Sequence, residues 1–190
     1  MSQDDPLKRL FAWIATAATL SFATVGLATQ NDPRLAELFD RLKDAPSAEA
    51  AADAEQAIWS IWHITGTEEI DQIMELGLHA MSRRDFARAL SAFDAITERA
   101  PNFSEGWNKR ATLHYLMDRF AESKADIERT LALEPRHFGA LSGLGLVYLA
   151  LDQEIEALAA FERALEIHPN MAGADTHIQA LRDKLRGRGI

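Results

Sequence analysis

The chain has 190 residues, is 47% hydrophobic and 26% charged, and contains no cysteine. That composition is globular rather than disordered, and the missing cysteine excludes disulfides, thiolate zinc sites, a cysteine nucleophile and a lipid-carrying cysteine near the N-terminus. The net charge of −9 is a poor match to a phosphate backbone, which needs clustered Lys and Arg, so nucleic acid is not an expected partner.

Lys8 and Arg9 precede residues 10–28, a run with no charged side chain. A positive flank, an apolar centre and the small pair Gly26 and Ala28 are the marks of a signal peptide cut between Ala28 and Thr29. Residues 1–28 are therefore expected to be a signal peptide, and the protein periplasmic or exported. The alternative is a single uncleaved N-terminal anchor in the inner membrane, the only membrane contact expected. The run is barely long enough to span, and Thr16, Thr19, Ser21 and Thr24 weaken its apolar character. A buried helix is the third reading.

Residues 29–69 read as a helical pair. Asp32 before Pro33 is a start signal, and Leu35, Leu38, Phe39 and Leu42 form a stripe. Pro46 breaks that helix and Ser47 caps the next, which carries Ala54, Ile58, Ile61 and Trp62 on one face and ends at Gly66.

Beyond this point the chain repeats. Pro101, Pro135 and Pro169 stand at one fixed spacing, each closing an apolar-periodic run, and they divide the sequence into blocks 70–103, 104–137 and 138–171. In register lie the tiny residues Gly77, Ala111 and Gly145, the small residues Ala89, Ser123 and Ala157, and the large apolar residues Phe93, Ile127 and Phe161. Within 138–171, Leu141, Leu144, Gly145 and Tyr148 share one helical face, and Ala157, Leu158, Phe161, Ala164 and Leu165 share another. The prolines end each second helix. Block 104–137 is the weakest, with Arg110 and His114 where the last block has Leu144 and Tyr148, and Thr130 in register with Ala164.

This pattern resembles the tetratricopeptide repeat family. The resemblance implies an all-α fold, an α-solenoid of helix-turn-helix repeats with N- and C-terminal capping helices. Residues 47–65 could then be half of a degenerate repeat or a plain cap. Trp59 matches Phe93 one repeat on, whereas Glu55 falls where Ala89 marks a close crossing. Residues 172–190 are expected to form the C-terminal capping helix and tail. Ala174, Ile178, Leu181 and Leu185 make its stripe, and Arg182, Lys184, Arg186 and Arg188 lie near its C-terminal dipole.

The family's first helices line a concave groove. By that phase a protein-binding groove here presents Met74, Leu78, Met81, Asn108, Thr112, Tyr115, Leu146 and Leu149, with Ser142 between. Some family members grip a C-terminal carboxylate with Lys and Asn; here only Asn108 is of that type. The groove is expected to hold an apolar or amphipathic segment of an unknown protein or peptide, or to be covered by the N-terminal helices or a second copy. Catalysis is not expected. Gly143 and Gly145 follow no strand, so they are not a phosphate loop, and Ser142 lacks a G-x-S-x-G frame. No third ligand accompanies His79 and His114, and neither metal nor cofactor is expected. The reading is a non-enzymatic scaffold or adaptor of the bacterial envelope; the alternative is an anchored assembly subunit of an inner-membrane complex.

Overall fold

The computed structural model describes residues 29–189; the expected signal or anchor segment, including Ala28 of the cleavage junction, lies outside the described residues. After a short turn, Thr29–Asn31, come α1 (Arg34–Asp44), α2 (Ala48–Trp62), α3 (Glu68–Ser82), α4 (Phe86–Arg99), α5 (Ser104–Leu116), α6 (Phe120–Leu133), α7 (Phe138–Ala150), α8 (Glu154–Ile167) and α9 (Ala174–Gly187). Among the described residues there is no strand.

The helix breaks keep step with the prolines. Helices α4, α6 and α8 stop at Arg99, Leu133 and Ile167, each two residues before a proline. The residues between, Ala100, Glu134 and His168, leave the helical region, as steric crowding before proline requires. The tight turns between paired helices carry a second periodic feature. Arg84, Asp118 and Asp152, one per repeat, adopt φ of 61°, 58° and 57°. Aspartate tolerates this left-handed conformation, whereas arginine gains nothing there.

Packing inside each pair explains the recurring tiny residues. A Cβ on Gly77 would lie 2.5 Å from a Phe93 ring carbon, and one on Gly145 would lie 2.6 Å from Phe161. The middle repeat has Ile127 in the ring's place, and there Ala111 is accommodated; both are buried. Ser123, in the small slot of that repeat, donates to the Ala111 carbonyl at 2.8 Å. Its other departures are also compensated. Arg110 donates two hydrogen bonds to Asp126 and one each to Asp94 and Thr97, all at 2.8 Å. Thr130 donates to the Asp126 carbonyl at 2.9 Å. A charge-assisted cluster replaces an apolar contact.

The caps differ from one another. Helix α9 packs on α8 through Ala174, Ile178, Leu181 and Leu185, all buried. Its cations are paired: Arg182 with Glu162, and Lys184 and Arg188 with Glu154, each at 2.7 Å. Helices α1 and α2 form a hairpin around Leu35, Phe39, Leu42, Ala51, Ala54, Ile58, Ile61 and Trp62. Ser47 Oγ caps α2 by accepting from the Ala50 amide. A degenerate repeat would stack this hairpin on α3 in line. Instead it turns back across the solenoid, sharing its core with Phe138 and, at the edge, Ile167 and Met171. Glu55 consequently marks no helix crossing; its carboxylate accepts from Trp59 Nε1 at 3.4 Å and lies 3.3 Å from His168 Nε2. Among the described residues, no helix is long and apolar enough to cross a membrane.

Candidate helix-binding groove

The first helices of successive repeats are α3, α5 and α7, and α5 meets α7 directly. Two regions of their concave side differ in what fills them. The open region is a cleft of about 240 Å³ between α5 and α7 with α6 as its floor. Asn108, Thr112 and Tyr115 form one wall, Ser142 and Leu146 the other, and Ile127 the base. Ala111 and Gly143 open the slot by being small. Gly143 has only Ile127 Cδ1, at 3.7 Å, in reach of an added Cβ.

The expected groove residues therefore separate into groups. Asn108, Thr112, Tyr115 and Leu146 come together on this cleft. Leu149 lies half-buried in the neighbouring core with Leu158 and Leu165. Met74 is 2% exposed, inside the core of α3 and α4 with Phe93, and Leu78 and Met81 pack against that same core. Among the described residues no group of three or more His, Asp or Glu could hold a metal ion.

The second region is covered by α2, and a buried acid organises it. Glu105, at the second position of α5, is fully buried. Lys109 Nζ lies 2.8 Å from its carboxylate, Asn108 Nδ2 donates to it at 2.8 Å, and His137 Nε2 lies at 2.9 Å. The Ala140 amide donates to His137 Nδ1 at 3.1 Å. That leaves Nε2 as the protonated nitrogen, which donates to Glu105. From the C-cap of α2, His63 Nε2 approaches the same carboxylate at 3.3 Å, while its Nδ1 donates to the Trp59 carbonyl at 2.7 Å. Burial alone pushes the Glu105 carboxyl up, but the His137 hydrogen bond and the Lys109 charge outweigh it and hold it at about 2.

Two indoles of α2 complete the seam. Trp62 stacks on His137 with ring centroids 4.2 Å apart. Trp59 meets His137 and Phe138 edge-on and lies beneath Lys109 Nζ. It lies over Gly139, where an added Cβ would come within 2.7 Å of the indole. Polar ties flank the rings: Asn170 Nδ2 donates to the Ala45 carbonyl at 2.7 Å, and Gln30 Nε2 donates to the Asn102 carbonyl.

The repeat geometry has a sequence counterpart. The tetratricopeptide repeat model matches residues 74–123 and 108–172. This chain belongs to the tetratricopeptide repeat family. A TPR repeat-containing protein of Rhizobium etli is 34% identical over 154 residues, covering 81% of this chain and 76% of that protein. The first TPR domain of Spaghetti (RPAP3), solved with the HSP90 peptide SRMEEVD, is similar at a TM-score of 0.60 and 22% identity, over 62% of this chain and 93% of that one. The Sgt2 TPR domain of Aspergillus fumigatus gives a TM-score of 0.61 at 21% identity, over 65% of this chain and 83% of that one. Both likenesses concern the fold.

Sequence reasoning missed the Glu105 cluster and the role of Trp59. One signal was available. Glu105 stands at a groove position with Lys109 one helical turn on, and Gly139 takes the same position in the next repeat.

Proposed function

We propose that this TPR chain is a non-enzymatic scaffold that accepts an apolar or amphipathic helical segment of a partner protein on its concave side. The observation that carries this reading is the cleft between α5 and α7, where Thr112, Tyr115 and Leu146 converge on a largely apolar slot. Such a surface suits a helix laid along a groove. A terminal carboxylate is a poor ligand here. Asn108, the groove residue suited to it, already serves Glu105.

The proposed setting is the bacterial envelope, reached by export through residues 1–28; it rests on the charge-free run after Lys8 and Arg9. Retention of that run would instead make the protein an anchored assembly subunit of an inner-membrane complex. Fractionation with intact mass of the purified chain separates these settings. A mass lacking residues 1–28 from a periplasmic fraction supports export, and a full-length cytosolic product rejects both. For the groove, a photo-crosslinker at Thr112 should capture a partner helix in the wild type. The Tyr115→Ala, Leu146→Glu double variant should lose it, and undiminished capture would overturn the groove reading.

A further inference from the structure

Helix α2 sits on the concave side where a partner would sit. We infer that it is an intramolecular ligand, and that the surface beneath it is built for an external amphipathic helix with two aromatic residues three apart and a nitrogen base next to the second. The inference rests on the groove reading above and names the partner's chemistry. Trp59, Trp62 and His63 supply that pattern, and the solenoid side is complementary at each point. Gly139 makes room for the first indole. The His137 ring is the stacking platform for the second. The buried Glu105 carboxylate faces His63 Nε2 at 3.3 Å, an ion pair when that imidazole carries its second proton.

The seam differs from the contacts within the repeats in ways that permit exchange. Its apolar part draws on one fully buried solenoid side chain, Phe138, whereas the cores of the repeats run without a break from one helix pair into the next. Among the described residues, three buried polar atoms at this seam have no hydrogen-bond partner: Trp62 Nε1, His168 Nδ1 and Glu105 Oε1, the last facing Lys109 Nζ and His63 Nε2 as charges only. Such groups weaken the docked state relative to one in which water or a partner satisfies them. The hairpin is joined to α3 by residues 63–67, where Gly66 adopts φ of 74° with open space around it. A glycine takes that left-handed turn without a Cβ clash, and the side-chain polar contacts of the linker to α3 run through one residue, Asp71, which accepts from the Thr65 amide and hydroxyl at 2.7 Å. Once α2 leaves, the α5–α7 cleft and the Glu105 surface become one continuous groove, since Asn108 borders both and Gly139 lines the cleft beneath Trp59.

A tethered helix competes at an effective concentration in the millimolar range. An external helix of equal intrinsic strength therefore binds weakly until the hairpin is loosened. The test uses the full chain and a fluorescent peptide of residues 47–66, read by anisotropy. Trp59→Ala loosens the hairpin at the rings, and Asn170→Ala loosens it at Ala45, away from the groove. Trp59→Ala is expected to raise peptide affinity at least tenfold over wild type, and Asn170→Ala, which removes a single hydrogen bond, about fivefold. Adding Gly139→Ala to Trp59→Ala should abolish that gain, because the new Cβ occupies the peptide's indole site while favouring helix α7. Circular dichroism verifies that each variant remains folded. Equal peptide affinity in wild type and both loosened variants overturns the inference, as does indifference to Gly139→Ala. If binding is then still lost in the Tyr115→Ala, Leu146→Glu variant, the groove reading stands without this one. No binding to any variant overturns the inference, and the Thr112 crosslink then decides the groove reading separately.

Discussion

Gly145→Ala tests the packing rule on which the repeat is built. A glycine inside a helix costs about 1 kcal/mol relative to alanine, so propensity alone says the change stabilises. The structure says the opposite. The new Cβ would lie 2.6–2.7 Å from three ring atoms of Phe161, which is fully buried. Carbon atoms prefer about 3.5–4.0 Å, so a confined ring must move by about 1 Å. Overpacking of that kind costs ~3 kcal/mol, the upper end of its usual range, leaving a net loss of ~2 kcal/mol. For a domain of this size the melting temperature should fall by roughly 4–8 °C. Gly143→Ala is the internal comparison. Its Cβ meets only Ile127 at 3.7 Å, so it should gain about 1 kcal/mol. In a Phe161→Ile background the Gly145→Ala effect should reverse sign, because the middle repeat already holds Ala111 beside Ile127. Thermal denaturation of the four-member cycle measures the coupling, expected at ~3 kcal/mol. Stabilisation by Gly145→Ala in the wild-type background, or a coupling below about 0.5 kcal/mol, would refute the reasoning.

Three further outcomes are expected. Arg84→Gly should raise stability by about 1 kcal/mol in urea unfolding, since Arg84 holds φ of 61° without the side-chain advantage of Asp118 and Asp152. Glu105, held at about 2 against an ordinary 4.5, should contribute ~3 kcal/mol. Because its folded value is depressed, that contribution is complete above about pH 4.5 and is lost as pH falls towards about 2. The stability gap between wild type and Glu105→Gln, followed by urea unfolding across that window, should narrow accordingly. Calorimetric titration with the acidic heptapeptide SRMEEVD should detect no binding, because Asn108, the groove residue suited to a carboxylate, is already engaged by Glu105.

The solenoid was legible because its signals are local and repeated. Pro101, Pro135 and Pro169 fix helix ends through backbone sterics, and each ended helix lies where they place it. The tiny-residue register was legible for a similar reason, since Gly145 and Phe161 meet within one hairpin. The seam was not, because its partners lie far apart in sequence. Nothing local to Trp59 announces Gly139, and Glu105 reads as one more surface acid until His137 and His63 close over it. Met74 shows the same limit: its helical phase faces the groove side, but the close approach of α4 buries it. Arg110 was visible as a departure from the repeat, yet its remedy lay in Asp94 and Asp126 on two other helices.

Amide hydrogen exchange, resolved by residue in the full-length protein, tests most directly whether α2 is a resident ligand of the groove. Helices α1 and α2 should open together at a free energy well below that of α5 and α7, with Phe138 and Gly139 gaining exchange in the same event. Protection of α2 equal to that of α7, lost only in global unfolding, would make the hairpin a fixed part of the core and contradict it.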